Sequence, residues 1–481
     1  MSELSHSKRM LVLGVCCLSL FIVGLDATIV NVALPSIGRD LHASVSGLQW
    51  VLDAYTLVLA SILILSGSTG DRVGRRRTFQ IGLATFTTAS LLCSLAPGLG
   101  WLIGFRALQA VGGSMLNPVA MSIIANTFTD ARERARAIGI WGGVFGISMA
   151  LGPVIGGALV DSVGWRGVFW VNIPVGLAAI VLTALVVPES RAAHARRVDP
   201  VGQALVIVML SSLTYGIIEG PREGWSSAVI IGCFALSALA AAGLAVYEPR
   251  RREPLIDLRF FRSAPFTGAT VIAITTFAAL GGFLLLNTLY LQDVRGLSAL
   301  SAGLYTLPMA AMTVFLAPLS GRITGQRGPR LPLLVAGITI TAGAVMLTGL
   351  TAITSAGWLL LSYVVIGVGF GVVNAPITNT AVSGMPRAQA GVAAAVASTS
   401  RQIGTSLGVA VVGSVVTSGL HGPLRTGLAL ASHTGWWVIA GCGLAVLIVG
   451  LVTTGRWARG TADRTADLLL TDEIRVPVGT P

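Results

Sequence analysis

Gly146-Ile-Ser-Met-Ala-Leu-Gly152-Pro153-Val-Ile-Gly156-Gly157 lies inside an apolar stretch long enough to cross a bilayer. Residues four apart share one face of a helix, so Gly152 and Gly156 present a strip without side chains where two helix backbones can approach closely. Pro153, on the next strip, removes a backbone hydrogen bond and is a natural place for a bend. Glycine and proline are common in membrane helices, so the run alone also fits ordinary packing. Its surroundings decide between packing and a seam along which helices slide.

Hydrophobic residues make up 54% of the 481 and charged residues 11%, and mean hydropathy is +0.81. Soluble domains carry about 25% charged residues, so this composition belongs to a membrane protein. Cysteines 16, 17, 93, 233 and 442 all fall in apolar stretches. They read as small packing residues rather than a disulfide framework. Lys8 and Arg9 precede an apolar run that no small-residue cleavage site ends, so a retained first helix is expected rather than a signal peptide.

A helix needs ~20 apolar residues to span the hydrocarbon core. Such segments fall near 10–34, 47–66, 78–96, 101–127, 136–160, 166–187, 200–220, 227–247, 266–291, 300–320, 331–350, 356–382, 391–417 and 436–454, fourteen in all. With the N-terminus in the cytoplasm, 25 of the 32 Lys and Arg residues fall in cytoplasmic segments, five fall outside, and Arg106 and Arg401 lie within spans. This is the positive-inside pattern. Trp50, Trp101, Trp165, Trp225, Trp358 and Trp436 cluster at the outer ends, as interfacial anchors do. The net charge of +12 is therefore an orientation signal, not a nucleic-acid surface.

The chain repeats itself weakly at a separation near 250 residues. Gly70-Asp71-Arg72-Val73-Gly74 is echoed by Gly321-Arg322-Ile323-Thr324-Gly325, Gly152 and Gly156 by Gly404 and Gly408, and Asn117-Pro118 by Asn374-Ala375-Pro376. Two related six-helix halves around a midplane cavity fit this spacing. The expected organisation is a cytoplasmic N-terminus over 1–9, an N-terminal six-helix bundle over 10–187 and a linker with two extra helices over 188–262. A C-terminal six-helix bundle over 263–455 and a cytoplasmic tail over 456–481 complete it. The fold class is thus an all-α polytopic membrane protein.

On five further stretches and the run quoted first, the chain resembles a fourteen-span drug:proton antiporter of the major facilitator superfamily. The first span holds Leu25-Asp-Ala-Thr-Ile-Val-Asn-Val-Ala-Leu-Pro35, and Gly67-Ser-Thr-Gly-Asp-Arg-Val-Gly-Arg-Arg-Arg77 is similar to the superfamily's cytoplasmic gating motif. Leu102 to Gly113, with Arg106, Gln109 and Gly112, resembles the fourth-helix motif. Trp165 to Gly176 and Arg401 to Gly408 carry further subfamily marks. Gly146, Gly152, Pro153, Gly156 and Gly157 stand where the antiporter motif places them. One departure is clear: the second gating loop has Arg322 where the first has Asp71.

Physical chemistry suggests roles for these residues. Gly67 and Gly74 are expected to allow a tight turn. Asp71, placed just before the third span, is expected to favour its N-terminus and to pair with arginines among Arg72, Arg75 and Arg76. Such a bond can form in one conformation and break in another, making a two-state latch. Ionisable groups inside spans are functional candidates, because an acid at a helix centre costs ~2.5–3.5 kcal/mol on insertion scales. Asp26, Asp53 and Arg106 qualify, and are expected to share one aqueous cavity in the outer half of the first bundle. Arg401 has no acidic partner in the second-half spans; it is expected to donate to carbonyls or to face the cavity. Asn117, Asn172 and Asn374 suit interhelical hydrogen bonds, and Glu219 and Asp293, at span ends, are expected to be solvated.

The resemblance implies a proton-coupled secondary exporter in the bacterial inner membrane, multi-pass, with both termini cytoplasmic. The single lysine against 31 arginines fits a GC-rich bacterial genome. No glycine loop carries a Walker lysine, so ATP is not expected to drive transport. The proton is the expected coupling ion, with no other cofactor and no metal. Expected substrates are small amphipathic, drug-like and cationic compounds; the lipid bilayer is the other partner, with no nucleic acid, and the protein is expected to be a monomer. The alternatives are a narrow exporter of one endogenous antibiotic or metabolite, and a transporter-like sensor. An enzyme is not expected.

Overall fold

The ends of the helices follow from local chemistry. Ser44, Asp130, Asp199, Ser227 and Ser355 each accept a hydrogen bond from a backbone N–H in the first turn of the helix that follows, satisfying donors that the helix itself leaves open. The computed structural model describes residues 5–191, 199–251, 254–255, 257–383, 385, 389–420 and 424–475. All regular structure among them is helical. The first part comprises α1 (His6–Asp40), α2 (Val45–Val73), α3 (Arg75–Ser94), α4 (Leu99–Thr127), α5 (Ala131–Val163), the short α6 (Gly167–Trp170) and α7 (Asn172–Val186). A hairpin of α8 (Pro200–Glu223) and α9 (Ala228–Tyr247) follows. The second part comprises α10 (Ala264–Leu289), α11 (Ala299–Tyr305), α12 (Leu307–Arg327), α13 (Arg330–Leu347), α14 (Ala356–Val382), α15 (Ala390–Gly419), α16 (Leu424–Thr453) and α17 (Arg456–Arg475).

Among the described residues, thirteen helical stretches are long and apolar enough to cross a membrane, against fourteen expected. The stretch that falls short is α3, which begins on Arg75–Arg77 and carries Thr78, Thr85, Thr87, Thr88, Ser90 and Ser94. Its polar groups are largely turned inward: Thr78, Thr87, Ser90 and Ser94 are buried.

The order of packing partners recurs along the chain. In the first part α1 packs on α5, α2 on α4, and α3 on α4 and α7; in the second α10 packs on α15, α12 on α14, and α13 on α14 and α16. Lipid offers no hydrophobic drive for association, so these pairs depend on close contact between small residues. A Cβ at Gly112 would overlap the backbone of Phe86, which shows how near α3 and α4 approach.

The hairpin α8–α9 lies against α2 and α15. Gln203 donates to the Ser61 carbonyl, Trp50 Nε1 donates to Glu219 Oε1 at 2.8 Å, and Ser414 donates to the Ile217 carbonyl. Glu219 is therefore buried and also pairs with Arg222 at 2.9 Å. This corrects the expectation of a solvated residue: proximity to a helix end says nothing about which neighbour covers it.

Two faces can be told apart by their charges. On the basic face Arg9 meets Glu133 at 2.6 Å, and α2 joins α3 at Arg72 and Arg75–Arg77. On the far face Asp40 accepts from Trp165 Nε1 at 2.8 Å and from Arg166 at 2.7 Å. The segment expected as a tail begins with α17, whose Ala458, Ala462, Thr465 and Leu469 are buried. It is fastened to α10 through the Ala264 N–H donating to Thr461 Oγ1 at 2.9 Å. Residues 476–481 lie outside the described set, as do Arg196, Arg197, Arg252 and Arg387 of the basic count.

Candidate functional site

Five helices converge on the Asp26 carboxylate. Asp26 Oδ2 meets Arg106 Nη1 at 2.6 Å, while Oδ1 accepts from Gln109 Nε2 at 2.9 Å and Asn172 Nδ2 at 3.1 Å. Gln109 also accepts from Arg106 at 2.7 Å and donates to Ser90 at 2.8 Å. Arg106 Nε reaches the Val51 carbonyl at 3.2 Å, and its guanidinium lies 4.3 Å from the centre of the Tyr55 ring. Asp26, Arg106, Gln109, Ser90 and Asn172 are all buried. A sealed ion pair survives in apolar surroundings only when its remaining donors and acceptors are matched, and here both Asp26 oxygens accept. Asp26 and Arg106 were legible in the sequence as intramembrane charges, and Asn172 as an interhelical donor. Gln109, one turn beyond Arg106, completes the ring; that spacing was the available signal.

Asp53 lies elsewhere. Val51 and Tyr55, one turn apart on α2, serve Arg106; Asp53, two residues from each, points to the opposite side of the helix. It is fully buried, takes one hydrogen bond from Thr56 at 3.2 Å and lies beside Ser406 of α15. Its Oδ2 has no hydrogen-bond partner. The expectation that Asp26, Asp53 and Arg106 share one aqueous cavity is therefore not met. The first and third form a closed pair, and Asp53 occupies the contact between α2 and α15. From Ser19 to Pro35 of α1, Ala27 alone is exposed, while the Asp26 side chain next to it is buried.

The gating loop is built differently from the sequence expectation in two respects. Gly74 makes the turn with φ +123°, a region that strains any side chain. Gly67 lies inside α2, with Pro118 of α4 at contact distance. Asp71 belongs to the last turn of α2 and not to the start of α3, although it does pair with Arg75, at 2.8 Å. The start of α3 is held instead by Glu189, which accepts from the Arg76 and Arg77 N–H groups at 3.1 and 3.3 Å. Arg76 also donates to the Ala184 carbonyl at 2.8 Å. Arg72 is exposed in the last turn of α2. Glu189 is more than 100 residues from its partners, beyond the reach of local pattern.

In α5 the motif divides between two neighbours. A Cβ at Gly152 would overlap Thr28 Oγ1, and one at Gly156 would press on Ile29, both on α1. Pro153 and Gly157 turn to α11: a Cβ at Gly157 would run into Ala299 and Leu300, and the Pro153 carbonyl lies against Gly303. Gly146 has open space where its side chain would be, so it takes no part in this close approach. Gly404 and Gly408 of α15 meet the backbone of α10 at Ile274 and Ala278.

Arg401 donates to Thr378 Oγ1 and lies 6.0 Å from the Phe277 ring centre, so its partner is a hydroxyl rather than a carbonyl. Asn374, one turn before Thr378, is exposed; Asn117 is half-buried with an unpartnered Oδ1. Asp293 is mostly covered, with Arg39 at 3.5 Å.

Known proteins are similar to this chain over most of its length. The chain is 37% identical over 426 residues to the multidrug resistance protein Stp of Mycobacterium tuberculosis, covering 89% of this chain and 79% of that protein. It is 39% identical over 399 residues to the tetracenomycin C resistance and export protein of Streptomyces glaucescens, covering 82% and 74%. With the multidrug efflux pump LfrA of Mycolicibacterium smegmatis it shares 35% identity, covering 86% and 82%. Among solved structures, a D-xylose–proton symporter superposes with a TM-score of 0.65 at 15% identity, covering 92% of this chain and 97% of that one. A peptide transporter POT in complex with sulfate gives 0.66 at 15%, covering 95% of each. The pattern of the Major Facilitator Superfamily matches residues 16–409, the span that contains Asp26, Arg106, the gating loop and the α5 seam. With its repeated helix packing and glycine-lined seam, this chain belongs to the Major Facilitator Superfamily, as a membrane transporter and not an enzyme.

Proposed function

We propose that this protein is a proton-coupled secondary exporter of small amphipathic drugs or antibiotics across the bacterial inner membrane, working by alternating access. The observation that carries the reading is Asp53. A carboxylate that is fully buried, has one oxygen without a partner and lies where α2 meets α15 is suited to hold a proton in one conformation and release it in another. Asp26 is the poorer carrier, because both its oxygens are engaged and neutralising it would strand the Arg106 charge. The names of the related efflux proteins support drug-like substrates. An acidic group near the pathway suits cations.

In this reading α3 is the fourteenth span: its 20 residues extend about 30 Å, and its polar groups turn to α4 and α7. The repeated packing order supports two six-helix bundles joined through α8–α9. The basic face is cytoplasmic, with both termini on that side, and the working unit is a monomer. The membrane potential contributes ~2.3 kcal/mol per charge per 100 mV. Purified protein in sealed vesicles with an imposed proton gradient tests the proposal. Efflux of a cationic dye should collapse with an uncoupler, and adding substrate should drive protons the opposite way. Uncoupler-insensitive efflux would overturn the coupling. Relatedness to the tetracenomycin C resistance and export protein favours, as a second reading, a narrow exporter of one endogenous antibiotic or metabolite. A susceptibility panel in a pump-deficient host separates breadth from narrowness.

A further inference from the structure

Pro153, Gly157 and Asp161 occupy successive turns of one face of α5, and all three meet the segment that begins α11. Asp161 Oδ1 accepts from the Ala299 N–H at 3.1 Å and Oδ2 from the Leu300 N–H at 2.9 Å. One turn earlier Gly157 packs on the same two residues, and one turn before that the Pro153 carbonyl meets Gly303. Each carboxylate oxygen is thus matched to one donor of the other half of the chain, on a strip where glycines let the backbones touch. Two further side chains join the two parts of the chain: Gln292 Nε2 donates to the Val32 carbonyl at 2.8 Å and Gln49 Nε2 to the Val409 and Ala410 carbonyls at 3.0 and 2.9 Å. Behind this seam lies a small, partly enclosed space bordered by Thr28, Asn31, Pro153, Asn287 and Thr288.

We propose that Asp161 is the latch residue of the far face: its two hydrogen bonds to the chain at Ala299 and Leu300 hold α5 against α11, and their loss lets that face open. The proposal rests on the alternating-access reading above. It moves the charged latch from Asp71, which is bonded to Arg75 four residues away, to a carboxylate that bridges residues 138 and 139 positions apart. Asp161 is exposed, so replacing it strands no buried charge, and the asparagine variant keeps its shape while keeping only one acceptor.

Two reporters are needed, Thr288→Cys in the partly enclosed space and Ala27→Cys at the exposed position on α1, in a transporting background whose five cysteines are replaced. Each is labelled in sealed vesicles with a membrane-impermeant maleimide. Asp161→Ala should raise labelling of Thr288→Cys from the far face by about fivefold or more, with Asp161→Asn between it and the parent. Labelling of Ala27→Cys from the basic face should fall in the same order, because closing one side accompanies opening the other. Unchanged labelling of both reporters overturns the latch. A rise in both also overturns it, since that would be loosening and not a shift between states. Uncoupler-insensitive efflux by the parent would end the proton-coupled reading and leave the labelling result standing; unchanged labelling beside uncoupler-sensitive efflux would end the latch alone.

Discussion

Asp26 and Arg106 approach to 2.6 Å across α1 and α4 with side chains 0% and 2% exposed. Removing one partner of such a pair leaves a buried charge unmatched, a loss of about 3–5 kcal/mol. Asp26→Asn should therefore lower thermal stability in detergent as well as transport, and Asp26→Asn with Arg106→Gln should recover part of that stability. A double variant no more stable than Asp26→Asn would show that the pair does not hold the first part of the chain together.

Asp53→Asn should behave in the opposite way. The amide fits the same volume, and the groups beside Asp53 are the hydroxyls of Thr56 and Ser406, which can accept from an amide as well as donate to a carboxylate. Stability should change by less than about 1 kcal/mol, while uncoupler-sensitive efflux is lost and cationic dyes suffer more than neutral drugs. Retained proton-driven efflux in a well-folded Asp53→Asn protein would exclude this residue from coupling.

At the α5 seam the prediction is steric. Gly152→Ala should clash with Thr28, whose hydroxyl donates to the Met149 carbonyl at 3.2 Å, at a cost of about 1–3 kcal/mol. Thr28→Ala should relieve much of it, so the double variant should be more stable and more active than Gly152→Ala. Gly142→Ala, which meets open space, serves as the control. Equal behaviour of Gly152→Ala and Gly142→Ala would argue that α1 and α5 can separate freely here.

Glu189 should matter to α3 although it lies far along the chain. Glu189→Ala removes the acceptor for the Arg76 and Arg77 N–H groups and should cost about 1 kcal/mol, the usual worth of a helix cap. Faster hydrogen exchange at those two amides, with α4 unchanged, is the expected signature. Unaltered exchange would mean that Gly74 and the Asp71–Arg75 pair suffice.

Much of this protein was legible before its structure. Composition and span length marked a polytopic helical membrane chain because the bilayer allows few alternatives. The glycine spacing of α5 and the echo in α15 marked close helix contacts, because only residues without side chains permit them. Intramembrane charges marked Asp26, Asp53 and Arg106, because such charges are costly. Each of these rests on local composition or on periodicity along one helix.

Partner identity is of another kind. That Arg106 closes on Asp26 while Asp53, two residues from Tyr55, faces α15 depends on how α1, α2 and α4 rotate against one another. That Glu189 rather than Asp71 serves α3, that Glu219 is covered by Trp50, and that Asp161 reaches Ala299 and Leu300 all join residues more than 100 positions apart. Helical periodicity says which face of a helix a residue occupies, but the neighbour met by that face is chosen by packing over the whole bundle. The membrane class, the helices and their small-residue faces were determined by the sequence alone. Which charges are sealed, which carboxylate is left open and where the two parts of the chain are fastened were decided only in three dimensions, where burial and bonding are set by residues from distant turns.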